Sequence, residues 1–126
     1  MTKMITVRKE IRISAAHQLY KHEGKCSRPH GHNYLVEAFA QGRPDVATGI
    51  VIDFYEMSLH LEATVGRFDH RDLNANGSSI LGSSIETTAE NLAEAWLYDL
   101  KQLNPKYIGL RVWETESCYA QAGKTE

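Results

Sequence analysis

The sequence has little of several things, and each scarcity excludes a class. It has only two cysteines and three prolines in 126 residues, so neither a disulfide scaffold nor a proline-rich linker protein is in view. Cys26 and Cys118 are expected to stay reduced thiols. There is no excess of positive charge: 14 Lys and Arg stand against 16 Asp and Glu, for a net charge of −2. No basic stripe points to nucleic acid, and no Lys/Arg run points to a membrane surface. No apolar run approaches the about 20 residues that a spanning helix needs. Residues Met1 to Arg8 hold no uninterrupted apolar segment of signal type, so a cytoplasmic location is expected. No glycine-rich dinucleotide fingerprint is present. There is no internal repeat or low-complexity segment, and the length suits a single domain spanning 1–126.

What is present is alternation. Ile5, Val7, Ile11, Ile13, Ala15 and His17 share one parity, and Arg8, Glu10, Arg12 and Ser14 the other, which predicts a half-buried strand. Lys21 to Pro29 reads as a loop. His30, His32, Tyr34, Val36, Ala38 and Ala40 share a parity in a second strand. Gly42-Arg43-Pro44-Asp45 is a turn, and Ile50-Val51-Ile52 reads as a short third strand. A helix follows from an Asp53 cap, with Phe54, Met57, Leu61 and Val65 at helical spacing and Gly66 as its stop. Arg67 to Ser84 reads as a loop. A second helix begins near Thr87 or Thr88, with Thr87 and Glu90 as a capping box. Its stripe is Leu92, Trp96, Leu100 and Leu103, and it ends at Asn104-Pro105. Ile108, Leu110, Val112 and Glu114 then mark a last strand. The expectation is an α+β domain: a four-stranded antiparallel sheet with two helices packed on one face. Its free edges invite neighbouring subunits.

Six histidines are present. His30 and His32 flank Gly31, which puts both imidazoles on one face of a strand. His17 ends the first strand on its apolar parity. If these strands pair, three imidazoles converge and leave a fourth position open, the pattern of a catalytic zinc site. Ordinary core histidines would give the same letters, so the pattern alone leaves both readings open. His22 and His60 have no partner at metal spacing and are assigned to structure or solvent. Cys26 lies four residues before His30, where a thiolate could be a base, a fourth metal ligand or a small loop residue. Asp69-His70 is an acid–imidazole pair in a loop-like stretch. Glu114 shares the parity of core side chains, and a carboxylate placed there needs a partner with N–H donors, unless it simply ends its strand in solvent.

Together these residues resemble a known family. Cys26-Ser27-Arg28-Pro29-His30-Gly31-His32 resembles the Cys-x-x-x-His-Gly-His signature of the 6-carboxy-5,6,7,8-tetrahydropterin synthases, within the 6-pyruvoyl-tetrahydropterin synthase superfamily. Ser14-Ala15-Ala16-His17, Phe68-Asp69-His70-Arg71-Asp72-Leu73-Asn74, Thr88-Ala89-Glu90-Asn91-Leu92-Ala93 and Trp113-Glu114-Thr115 resemble further segments of that family, in the same order. The resemblance implies the T-fold, in trimers paired into hexamers with active sites between subunits. It implies zinc (Zn2+) on His17, His30 and His32, Cys26 as general base, and Asp69 and His70 completing a triad with it. Glu114 would bind the pterin ring and Thr88 would sit at its pocket. The implied substrate is 7,8-dihydroneopterin triphosphate, with Lys25, Arg28 and Arg71 as candidates for its phosphates. The three-residue spacing from Cys26 to His30 looks most like the carboxy branch, which feeds queuosine and related 7-deazapurine synthesis. Thr87 in place of a common Pro, Phe68 in place of Leu, and Cys118 in place of an aromatic depart from the family pattern.

Overall fold

The computed structural model describes residues 3–75 and 78–126. Five strands form one sheet in the order β3-β1-β2-β4-β5. They are β1 (Ile5–His17), β2 (His30–Gly42), β3 (Arg71–Asp72), β4 (Tyr107–Thr115) and β5 (Cys118–Gly123). The helices are α1 (Phe54–Thr64) and α2 (Ala89–Leu103). The two long strands pair antiparallel without interruption from Ile5↔Gly42 to His17↔His30. Their alternation places Ile13, Ala15, Tyr34, Val36, Ala38 and Ala40 on one face, joined by Leu110 and Val112 of β4. Met57 and Leu61 of α1 and Leu92, Trp96 and Leu100 of α2 share this buried cluster. Burying such side chains contributes about 1.5–3 kcal/mol each, and this common apolar layer holds the helices to the sheet.

The sheet departs from the expected four antiparallel strands. It has five and is mixed, because β3 runs parallel to β1 through Ala15↔Arg71 and Ala16↔Asp72. Two-residue β3 is too short to carry a period. Ile50-Val51-Ile52 is not a strand. Val51 and Ile52 are buried as an apolar plug, held by Lys106 Nζ donating to the Val51 carbonyl and by a turn in which Asp45 N–H donates to the Ile50 carbonyl. A run this short cannot be assigned by periodicity. The missed β5 folds back on β4, with Leu110↔Ala122 and Val112↔Ala120 in register. Gly109 permits it, since a Cβ there would strike the Lys124 carbonyl.

The caps also differ in detail. Asp53 caps α1 by accepting from Tyr55 N–H at 2.7 Å. Thr88, not Thr87, caps α2, accepting from Asn91 N–H at 3.1 Å. Thr87 is fully buried instead. Among the described residues no helix is long and apolar enough to cross a membrane.

Candidate metal centre and its surroundings

The β1–β2 register decides where the imidazoles go. His17 lies directly opposite His30, and Ala15 opposite His32, so the three rings project together from one face at the end of the hairpin. Ring centroids are 4.5 Å apart for His17 and His30, 5.0 Å for His17 and His32, and 4.9 Å for His30 and His32. Candidate ligand nitrogens of all three lie within 4.8 Å of one another.

Two of the rings have a fixed tautomer. His17 Nδ1 is 2.8 Å from the Thr87 carbonyl, and His30 Nδ1 is 2.7 Å from the Arg28 carbonyl. A carbonyl only accepts, so each Nδ1–H donates and, in the neutral ring, each Nε2 carries a lone pair. His17 Nε2 is buried and has no hydrogen-bond partner among the described residues. Burial holds the pKa of His17 below the ordinary imidazole value, although the Thr87 carbonyl and Glu114 pull the other way. Burial does the same to His32 against Glu114. Neutral rings, tethered by one nitrogen and presenting the other, are what a metal requires of histidine ligands. The residues fit a divalent ion of zinc type, for which imidazole is a suitable ligand.

A buried polar network behind the rings was not anticipated. Asn74 Oδ1 accepts from the Thr87 hydroxyl at 2.9 Å and from Gln18 N–H at 2.9 Å. Asn74 therefore fixes Thr87, whose carbonyl fixes His17. The clue in the sequence was Asn74 closing the Asp69–Asn74 segment, but nothing there tied it to Thr87. Tyr34, one alternation beyond His32, packs its ring 5.4 Å from His32. Burial pushes its hydroxyl pKa well up.

The other candidates fall at different distances from this group. Glu114 reaches two of its three rings: its Oε2 is 3.2 Å from His32 Nε2 and 3.5 Å from His17 Nε2. It also lines a cleft with Ala89 and Glu90 at the start of α2, next to Thr88, and with Cys118. Cys26 lies half-buried in the 3-10 turn Lys25–Ser27. It does not join the imidazole group. Its carbonyl accepts from Leu19 N–H at 2.9 Å, which folds the loop back over the end of β1. Lys25 and Arg28 are exposed on that loop, with no ion-pair partner among the described residues.

Asp69 and His70 lie along the outer edge of β1. Asp69 Oδ1 accepts from Ser14 N–H at 2.8 Å, and that bond, with His70 beside it, holds its carboxyl below the usual range. His70 has φ 59° and donates its N–H to the Ser14 carbonyl. The two side chains meet at 3.1 Å, and the imidazole is largely exposed. His70 lines a cleft with Ser14, Gly31, Asn33 and Arg71. Neither residue hydrogen-bonds Cys26 in the same chain. His22 accepts from Gly24 N–H at 2.9 Å. His60 is 2.8 Å from the Tyr107 hydroxyl. Both are structural, as expected. Both cysteines are free thiols.

The sequence profile of the family described as 6-pyruvoyl tetrahydropterin synthase matches residues 6–125. The chain belongs to this family. Among curated relatives, a Synechocystis protein named 6-carboxy-5,6,7,8-tetrahydropterin synthase is 36% identical over 100 residues, covering 75% of this chain and 73% of that protein. A Halobacterium salinarum protein named "Probable 6-carboxy-5,6,7,8-tetrahydropterin synthase" is 42% identical over 71 residues, a stretch that spans 56% of this chain and 44% of its own length. The human 6-pyruvoyl tetrahydrobiopterin synthase is 29% identical over 126 aligned positions, covering 88% of this chain and 86% of that one. The solved structure of Caenorhabditis elegans 6-pyruvoyl tetrahydropterin synthase superimposes with a TM-score of 0.87 at 24% identity, covering 98% and 97% of the two chains. The tetrahydropterin synthase fold, two helices on a sheet, is thus shared.

Proposed function

We propose that the chain is a zinc-dependent lyase that converts 7,8-dihydroneopterin triphosphate and water to 6-carboxy-5,6,7,8-tetrahydropterin, releasing acetaldehyde and triphosphate. It would serve queuosine and related 7-deazapurine synthesis in the cytoplasm. The observation that carries this reading is the three-imidazole group, with Nδ1 of His17 and of His30 each given to a carbonyl and a buried Nε2 on His17 that has no hydrogen-bond partner among the described residues. Zinc bound there would act as a Lewis acid on the oxygens of the substrate side chain.

The chain's own residues would do the rest. Cys26 would serve as general base, moving a proton between carbon and oxygen of the side chain. The Asp69–His70 pair would hold or return that proton, the carboxylate orienting the imidazole. Because this pair bonds to Ser14 and not to Cys26, we place it in the site of an adjoining subunit, in a trimer or a pair of trimers. Glu114 would accept from the amino and ring N–H groups of the pterin, with Thr88 beside it. Lys25 and Arg28 would meet the triphosphate.

The carboxy branch is supported by the short spacing from Cys26 to His30 and by the Synechocystis relative's name. The human relative's name supports the 6-pyruvoyl product instead. The deciding experiment gives 7,8-dihydroneopterin triphosphate to zinc-loaded protein and follows pterins and acetaldehyde by mass spectrometry. Acetaldehyde with the 6-carboxy pterin is expected. A 6-pyruvoyl product without acetaldehyde would move the chain to the sister activity, and no turnover by folded, zinc-loaded protein would overturn both.

A further inference from the structure

Glu114 is aimed at the wrong partners for a residue that only awaits a pterin. Its Oε2 lies 3.2 Å from Nε2 of His32 and 3.5 Å from Nε2 of His17. His17 gives Nδ1–H to Thr87, so in the neutral ring its Nε2 carries a lone pair. A carboxylate oxygen this close to two imidazole nitrogens is held by something positive shared between them, either a proton on a ring or a metal ion. The spacing is itself informative. Zinc holds imidazole nitrogen at about 2.0–2.1 Å and carboxylate oxygen at about 2.0–2.2 Å, so neighbouring ligand atoms of a tetrahedral site lie about 3.3–3.5 Å apart. The 3.5 Å separation to His17 falls on those tetrahedral edges and the 3.2 Å separation to His32 lies just below them. Neither Cys26 nor Glu114 belongs to the group whose ligand atoms all lie within 4.8 Å of one another, but Glu114 already reaches two of its three imidazoles.

We propose that Glu114 is the fourth metal ligand of the pterin-free protein, completing a site of three imidazoles and one carboxylate. The proposal rests on the reading of His17, His30 and His32 as a metal centre. A single carboxylate at a strand end, about a quarter exposed, is a ligand that can leave. It borders the cleft beside the start of α2, so turning toward a pterin's N–H donors takes it away from the imidazoles. Metal coordination and pterin recognition then compete for the same side chain.

The test uses the full-length protein loaded with cobalt(II), without any pterin. Visible absorption reports coordination number and ligand set. The wild type is expected to give a four-coordinate spectrum, and Glu114→Gln a changed one. Zinc affinity, measured by competition with a chromophoric chelator, is expected to fall tenfold or more in Glu114→Gln. Glu114→Asp, whose carboxylate is one methylene shorter, should also change the spectrum. Far-UV circular dichroism verifies that each variant is folded. Identical spectra and zinc affinities for wild type and Glu114→Gln would overturn the proposal while leaving the three-histidine centre intact. A wild-type protein that takes up neither cobalt nor zinc would overturn the centre and the proposal together.

Discussion

At the scale of single residues, the site separates groups that would hold a metal from groups that would move protons. Cys26 stands outside the imidazole group, so Cys26→Ala is expected to abolish turnover and keep bound zinc. His30→Ala is expected to lose the metal. Zinc content by atomic absorption, read beside the product assay, checks the pair; zinc lost from Cys26→Ala would make the thiol a ligand. Asn74 acts one layer further back, through Thr87 on His17. Asn74→Ala removes the acceptor of one buried and one partly buried donor and should cost about 1–3 kcal/mol of stability. It should also weaken zinc binding about 10–100-fold, as loss of a group that orients a ligand does. Denaturant unfolding and chelator competition measure the two effects. The imidazole trio was legible from parity, because alternation on two pairing strands is a local property. The reach of Glu114 to His17 and His32 was not. It depends on how β4 registers against β2, which pairs Leu35 with Trp113 across most of the chain. Asn74 and Thr87 were equally hidden, since a buried hydrogen bond between two loop ends leaves no periodicity.

At the scale of elements, the face of the sheet away from the helices carries its own polar lock. Glu37 of β2 is nearly buried and accepts from Arg8 of β1 and Trp113 of β4, so one carboxylate ties three strands. Burial alone would raise its pKa, but the bonds from Trp113 and Arg8 outweigh burial and hold it below its ordinary value of 4.5. The folded state therefore favours the charged form. Its contribution is fully present above about pH 4.5 and is lost as pH falls through the lower folded value. Glu37→Ala should cost about 2–3 kcal/mol near neutrality, the range for hydrogen bonds to a charged group. It should also flatten the acid limb of the stability curve, which urea titrations from pH 7 down to pH 3 would reveal. The long strands and both helices were legible because each repeats its period several times. β3 and β5 were not: one is two residues long, and the other rests on small Ala120 and Ala122, which make a weak apolar stripe. The Ile50–Ile52 run misled because an apolar triplet fits a buried loop as well as a strand.

At the scale of the whole molecule, the proposed machinery is split within each chain. The imidazoles project toward the helical layer from the end of the hairpin, and the Asp69–His70 pair is bonded along the outer edge of β1. If each site draws this pair from an adjoining subunit, two inactive variants can repair one another. Cys26→Ala and His70→Ala protein, unfolded together and reassembled, should regain a measurable fraction of wild-type activity, while either refolded alone stays inactive. Failure of mixed oligomers to regain activity would return the site to a single chain. A site shared between subunits lies beyond what one chain's alternation can encode; the free sheet edges only raised the expectation of neighbours.

The unbroken pairing that ends at His17↔His30 also bears on the order of events in folding. All three imidazoles sit on one hairpin, at the end closed by its own loop, so a metal could gather them before either helix has docked. Loop closure over so short a span is fast and entropically cheap. The ion would then act as a register pin, since a slip of one residue turns a strand's side chains to the opposite face. Zinc added at the start of refolding should speed folding itself, whereas an ion captured only by the finished protein would leave the folding rate unchanged and slow unfolding alone. Stopped-flow refolding with and without zinc distinguishes the two.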